Sequence, residues 1–183
     1  QLTLIGRFLS ALASTLTIPL VFLLGKKLWN PHIGILAGLL FTFTPLSIQL
    51  AHFYTTESIL VFLFTLLLLA IVSFWHAPSM RLTAAIGISS GLLLATKNTG
   101  YLFIPIPILI LLVKPKKIFP FIVFGATTIM FFFLASPYSF FDFSGYLARS
   151  RYLSDVVSGR LLMDWTMQFQ QTNGLFWIRS LLV

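Results

Sequence analysis

Residues 82–113 read LTAAIGISSGLLLATKNTGYLFIPIPILILLV: two apolar runs, Leu82–Thr96 and Tyr101–Val113, separated by Lys97-Asn98-Thr99-Gly100. As one helix the stretch would be about 48 Å long at 1.5 Å per residue, well beyond the roughly 30 Å hydrocarbon core of a bilayer. Gly100, Pro105 and Pro107 also favour a break, since proline removes a backbone donor and crowds the preceding turn. Flanking charge decides the matter. If each run crosses a membrane once, Lys26, Lys27, Arg81, Lys114, Lys116 and Lys117 all fall on one side. A single long crossing would put Arg81 opposite the Lys114 cluster. Loops rich in Lys and Arg belong on the cytoplasmic face. The stretch therefore predicts a hairpin of two short helices, with its tip at Lys97–Gly100 outside.

The rest of the chain extends the same pattern. Further apolar runs cover Leu2–Leu24, Ile33–Leu50, Ser58–Trp75 and Ile118–Ala135. They predict an all-α polytopic membrane protein with about six transmembrane helices. Composition agrees: 58% of residues are hydrophobic and 9% charged, with mean hydropathy +0.98, against about 25% charged in soluble domains. A soluble globular domain is excluded, and so is disorder, which needs low hydrophobicity. The net charge of +8 resembles a nucleic-acid footprint, but six of the cations are topology signals, and no nucleic-acid partner is expected. Without cysteine there is no disulfide, thiolate metal site or cysteine nucleophile. The expected organisation is a transmembrane bundle over 1–135, an extracytoplasmic loop with interfacial helices over 136–174, and the start of a further transmembrane helix over 175–183. Opening at Gln1 and stopping within Leu181-Leu182-Val183, the sequence reads as a piece of a longer protein.

This topology gathers the unusual polar residues on the outer face. Glu57 is the first acid of the chain, in Ala51-His52-Phe53-Tyr54-Thr55-Thr56-Glu57-Ser58. One reading is helix capping, with Thr55 or Thr56 as N-cap and the carboxylate in the favourable first turn. The other is a boundary acid that, with His52 five residues earlier, holds a metal ion or a protonated partner. Lys97 stands on the face that Lys and Arg avoid. It either snorkels to the headgroups or binds a lipid phosphate, to which a compact point charge is suited. Arg7, after Gly6, has the same two readings. Together Arg7, Lys97 and Glu57 with His52 supply two cations and an acid on one face, as an anionic lipid-linked substrate with a divalent metal requires. A rival reading is a secondary transporter or flippase with Glu57 and His52 as its ionisable site. A third is a scaffold anchoring the loop after Pro137.

Other features read as structural. His32 and His76 belong to solvated loops, and Gly34, Gly38, Gly87 and Gly91 are spaced for close helix packing. Phosphate-binding glycine loops, His-Glu-x-x-His and the nucleophile elbow are absent from the sequence. Pro137–Phe143 suits an aromatic segment at the membrane interface, and Gly145–Val157 an amphipathic surface helix. Trp165–Thr172 could line a sugar-binding groove or form an interfacial belt.

Four stretches resemble, in order, the membrane-embedded glycosyltransferases of GT-C fold that use polyprenyl-phosphate sugars, the protein O-mannosyltransferases and lipid A aminoarabinose transferases. Leu4–Ala11 is similar to the Gly-Arg opening of that family's second helix. Ala51–Glu57 resembles its His-x-x-x-Thr-Thr-acid turn, with Glu57 where Asp is usual. Gly91–Thr99 is similar to its Gly-x-x-x-Ala-Thr-Lys-Tyr-Thr segment, with Asn98 for the aromatic. Ser136–Phe143 and Trp165–Phe169 look like the outer loop that follows. The resemblance implies transfer of a sugar from a polyprenyl-phosphate donor to a lipid, glycan or protein acceptor outside the cytoplasmic membrane. It implies Arg7 and Lys97 as phosphate ligands and Glu57, with His52, beside a divalent ion such as Mg or Mn. The catalytic base that it implies belongs to a loop upstream of Gln1.

Overall fold

The computed structural model describes residues 2–53, 55–114, 118–157 and 160–161. All regular elements among them are helical. They run α1 (Leu2–Leu28), α2 (Pro31–Thr42), α3 (Pro45–His52), α4 (Glu57–His76), α5 (Met80–Thr96), a 3₁₀ turn (Asn98–Phe103), α6 (Pro105–Val113), α7 (Ile118–Ala135), α8 (Tyr138–Phe141) and α9 (Phe143–Val157). The described residues fall into two compact units, one within 1–137 and the other from Tyr138 onward.

By length and composition α1, α4 and α7 can each cross a membrane, and α2 with α3 makes a fourth candidate, bent by 55°. Met80–Thr96 and Asn98–Val113 are apolar but shorter. The bend departs from the continuous run expected over Ile33–Leu50. Its cause is Pro45, which pushes Thr44 into extended backbone (φ −68°, ψ 116°) and starts α3 afresh. Leu36, Leu40, Ile122, Ile129 and Leu134 lie exposed on α2 and α7. Apolar surface on that scale is a liability in water and ordinary in lipid. This is a membrane protein.

The core is centred on α4, whose Leu63, Leu67, Ile71 and Phe74 pack with Ile86 and Leu93 of α5, Leu111 of α6 and Phe124 of α7. Hydroxyls within the helices largely satisfy themselves. Thr17, Thr65, Ser89 and Thr96 donate to carbonyls four residues back at 2.7–2.8 Å, as an environment without water demands. The small residues do the packing expected of them. A Cβ on Gly87 would lie 2.7 Å from Phe124 O, one on Gly91 would strike Thr128 O, and one on Gly34 would lie 2.6 Å from Phe22 O. Gly38 differs, its nearest neighbours standing at 3.8 Å.

The hairpin over 82–113 is present, and two contacts at opposite ends of α4 fix its direction. At the start of α4, Lys97 Nζ reaches Glu57 Oε1. At its end, Lys114 Nζ donates to Trp75 O at 2.7 Å and lies 4.6 Å from the centre of the Trp75 ring. The chain thus descends α5 to Lys97, turns, and returns through α6 to the level from which α5 set out. The turn is tight: a Cβ on Gly100 would lie 2.5 Å from Leu93 O. Phe103 then packs its ring 4.3 Å from that of Phe64 on α4. Lys26 and Lys27 in the last turn of α1, Arg81 at the start of α5 and Lys114 thereby share one end of the unit. Lys116 and Lys117 lie outside the described residues.

In the second unit Asp142 organises the start of α9. Its Oδ1 accepts from Gly145 N at 3.0 Å and from Ser144 Oγ at 3.2 Å, a side-chain N-cap. The helix begins two residues earlier than expected, at Phe143. Tyr138 and Phe141 are both 82% exposed. The expected groove residues Trp165–Thr172 fall outside the described residues.

Candidate functional site

Glu57 is the first residue of α4. The threonine cap expected there is not made. Thr56 has helical backbone (φ −78°, ψ −13°) and no side-chain cap bond, because a capping hydroxyl reaches the first-turn amides only from an extended residue. Thr56 contributes its carbonyl instead, accepting from Leu60 N at 2.9 Å. The negative charge of Glu57 therefore sits at the positive end of the α4 dipole.

Lys97 follows the last turn of α5. Its amide donates to Leu93 O at 3.3 Å and its carbonyl accepts from Gly100 N at 2.8 Å. Between these bonds the backbone is extended (φ −156°, ψ 141°). With both backbone groups held, the side chain alone is free to choose a partner, and it takes Glu57: Nζ to Oε1 is 2.7 Å, across 40 positions of sequence. The lysine and glutamate side chains are 43% and 38% exposed. An ion pair that open contributes on the order of 0–1 kcal/mol. Neither reading offered for Lys97, snorkelling or a phosphate ligand, anticipates this partner.

The other expected residues stand nearby without joining the pair. His52 ends α3, and its Nδ1 lies 2.7 Å from Ile48 O; against a carbonyl that nitrogen must carry the proton. The ring is tied to its own helix and, among the described residues, makes no bond to Glu57. Arg7 is exposed on α1, one turn before Ser10, whose hydroxyl donates to Thr55 O at 3.2 Å. That bond places the Arg7 end of α1 beside the turn that leads into Glu57. Among the described residues Arg7 forms no ion pair. His32 and His76 are exposed, but they lie within helices and not in loops, His32 in the first turn of α2 and His76 as the last residue of α4.

For a metal the donor set is thin. Among the described residues no three His, Asp or Glu side chains come together, and the Glu57 carboxylate already faces an ammonium. These residues do not by themselves make a cation site.

One feature escaped the sequence reading. Ser14, Thr17, Ser47 and Ser58, with Phe41, Leu50 and Val61, line a small crevice where the bent pair α2–α3 meets α1 and α4. Ser58, directly after Glu57, is 4% exposed and its hydroxyl has no partner among the described residues. The signal for it was the spacing of Ser10, Ser14 and Thr17, which puts three hydroxyls along one side of α1.

The arrangement is thus a pair of opposite charges at one end of a helical unit, with an arginine on the neighbouring helix end, opposite the Lys/Arg-rich end. A cationic group poised there can receive an anion, and a carboxylate beside it can balance or compete with that anion. The sequence profile described as dolichyl-phosphate-mannose-protein mannosyltransferase matches residues 3–141, which include every residue of this arrangement. Comparisons with curated proteins and with solved structures give no match. With the match covering most of its length and the paired residues falling inside it, the chain belongs to the dolichyl-phosphate-mannose-protein mannosyltransferase family.

Proposed function

We propose that the protein is a glycosyltransferase that moves a sugar from a polyprenyl-phosphate donor to an acceptor on the extracytoplasmic side of the cell membrane. Family membership supports the activity and the donor class. The separation of charge supports the side: Lys26, Lys27, Arg81 and Lys114 share one end of the first unit, which the positive-inside rule makes cytoplasmic. Glu57 and Lys97 stand at the other. In this reading the bent pair α2–α3, α5 and the segment Asn98–Val113 each cross the membrane, which with α1, α4 and α7 makes about six crossings.

In the reaction, Lys97 and Arg7 hold the carrier phosphate. As the sugar departs, negative charge grows on that phosphate, and fixed cations stabilise it more than they stabilise the intact donor. The acids among the described residues are all engaged: Glu57 with Lys97, Asp142 capping α9 and Asp155 with Arg160. We place the base that activates the acceptor outside the described residues, as the resemblance to polyprenyl-phosphate-dependent glycosyltransferases implies. A Mg or Mn ion at Glu57 and His52 would need Lys97 to release Glu57 and further ligands to arrive, and no step of this reading runs through one.

The observation that carries the proposal is Lys97 inside the family match, at the end of the unit where Lys and Arg are otherwise scarce. Transfer of labelled sugar from a polyprenyl-phosphate donor by the intact protein tests it. Lys97→Met and Arg7→Gln are expected to lose transfer while inserting normally, and native rates in both would refute the assignment. The transporter reading draws no support from the geometry, since Glu57 lies at a helix end and His52 is bonded within its own helix.

A further inference from the structure

The distance between Lys97 and Glu57 poses a problem for a phosphate site: the ammonium already holds an anion. We propose that Glu57 is an internal competitor for Lys97, a carboxylate that occupies the ammonium while the carrier is absent and gives way when its phosphate arrives. The inference rests on the reading of Lys97 as a phosphate ligand and adds a role for Glu57 that needs no metal.

Three observations carry it. First, the pair is short but open, with 43% and 38% of the two side chains exposed, so an incoming ligand can reach it and the bond is weak enough to exchange. Second, each partner has somewhere to go. Glu57 at the head of α4 keeps the favourable field of the helix N-terminus after release. Lys97 keeps its place, because its amide and carbonyl are bonded to Leu93 and Gly100, and only the side chain has to turn. Third, the phosphate matches the carboxylate on arrival and exceeds it after transfer. The donor's phosphodiester carries one charge, as Glu57 does. The polyprenyl phosphate left when the sugar departs is a monoester with about −1.5 to −2 charges and three acceptor oxygens, against one charge and two oxygens on Glu57. The pair thus keeps the lysine compensated at a membrane boundary while the site is empty, at the cost of some affinity.

The test is binding of a polyprenyl phosphate to the intact protein in lipid nanodiscs, with the unphosphorylated polyprenol as control. Glu57→Gln is expected to bind the phosphate about two- to fivefold more tightly than native, the range that loss of an exposed ion-pair competitor allows. Glu57→Asp, which keeps the charge, should bind as native does, and the polyprenol should bind all variants alike. In a Lys97→Met background the Glu57→Gln change should have no effect on phosphate binding. If Lys97→Met weakens binding but Glu57→Gln leaves it unchanged or weakens it, the competitor role is overturned and Lys97 remains a phosphate ligand. If Lys97→Met does not weaken binding, the phosphate reading of Lys97 fails and takes this inference with it.

Discussion

Lys114 Nζ donates to the carbonyl of Trp75 at 2.7 Å while lying 4.6 Å from the centre of its ring. That contact marks the end of α6 at the level of the end of α4, as the Lys97–Glu57 bond marks the opposite end, and together they show that residues 82–113 form a hairpin. A straight helix through the same residues would carry Lys114 away from Trp75 and Arg81 away from Lys114.

The topology is directly measurable, since the chain contains no cysteine to interfere. Single Arg81→Cys and Lys114→Cys variants should react with a membrane-impermeant maleimide from the same side of sealed vesicles. Lys97→Cys should react only from the opposite side. Labelling of all three from one side would contradict the hairpin.

The glycines separate close approach from mere spacing. A Cβ at Gly91 would strike backbone of α7, so Gly91→Ala should destabilise by about 1–3 kcal/mol through overpacking. Gly38 has 3.8 Å of clearance, and Gly38→Ala should stabilise by about 0.5–1 kcal/mol through helix propensity. Thermal unfolding in detergent reads both. Equal effects at the two positions would contradict the packing described.

Asp142 acts as the cap of α9 through Gly145 N and Ser144 Oγ. Asp142→Ala should cost the helix about 0.5–2 kcal/mol and Asp142→Asn much less. Amide hydrogen exchange over the first turn of α9 should quicken in the alanine variant and stay near native in the asparagine variant. Unchanged exchange in both would remove the capping role.

These elements differ in how far they could be read from sequence, and the reason is range. The apolar runs, the charged punctuation and the proline positions are local, and they located the helices to within a few residues. The hairpin was legible because charge sidedness is a global constraint that a local pattern has to satisfy. The bend at Thr44-Pro45 is local in origin too, since a proline between two apolar runs interrupts a helix, but uniform hydropathy over Ile33–Leu50 masks it. The Glu57–Lys97 bond was not legible. It joins positions 40 apart and depends on how Gly100 lets the chain fold back over Leu93. The capping of α4 failed for a similar reason: hydroxyls at Thr55 and Thr56 suit a cap, but the backbone angles that decide it are set by the turn from α3. Arg7, Glu57, Lys97 and His52 were named from residue type and face, and the structure joins only two of them directly.

The pair itself should matter little to stability and greatly to function. Being about 40% exposed on both sides, it contributes at most about 1 kcal/mol. Lys97→Met and Glu57→Gln should therefore unfold within a few degrees of native. A large loss of stability in either would make the pair a structural strut.

The most direct measurement is the rate of sugar transfer from a labelled polyprenyl-phosphate donor by the intact protein carrying Lys97→Met, beside Lys114→Met at the opposite end of the same unit. The account predicts a fall of about 100-fold or more for Lys97→Met, the scale of losing a group that stabilises developing negative charge. For Lys114→Met it predicts a rate close to native. Native transfer by the Lys97→Met protein would contradict it.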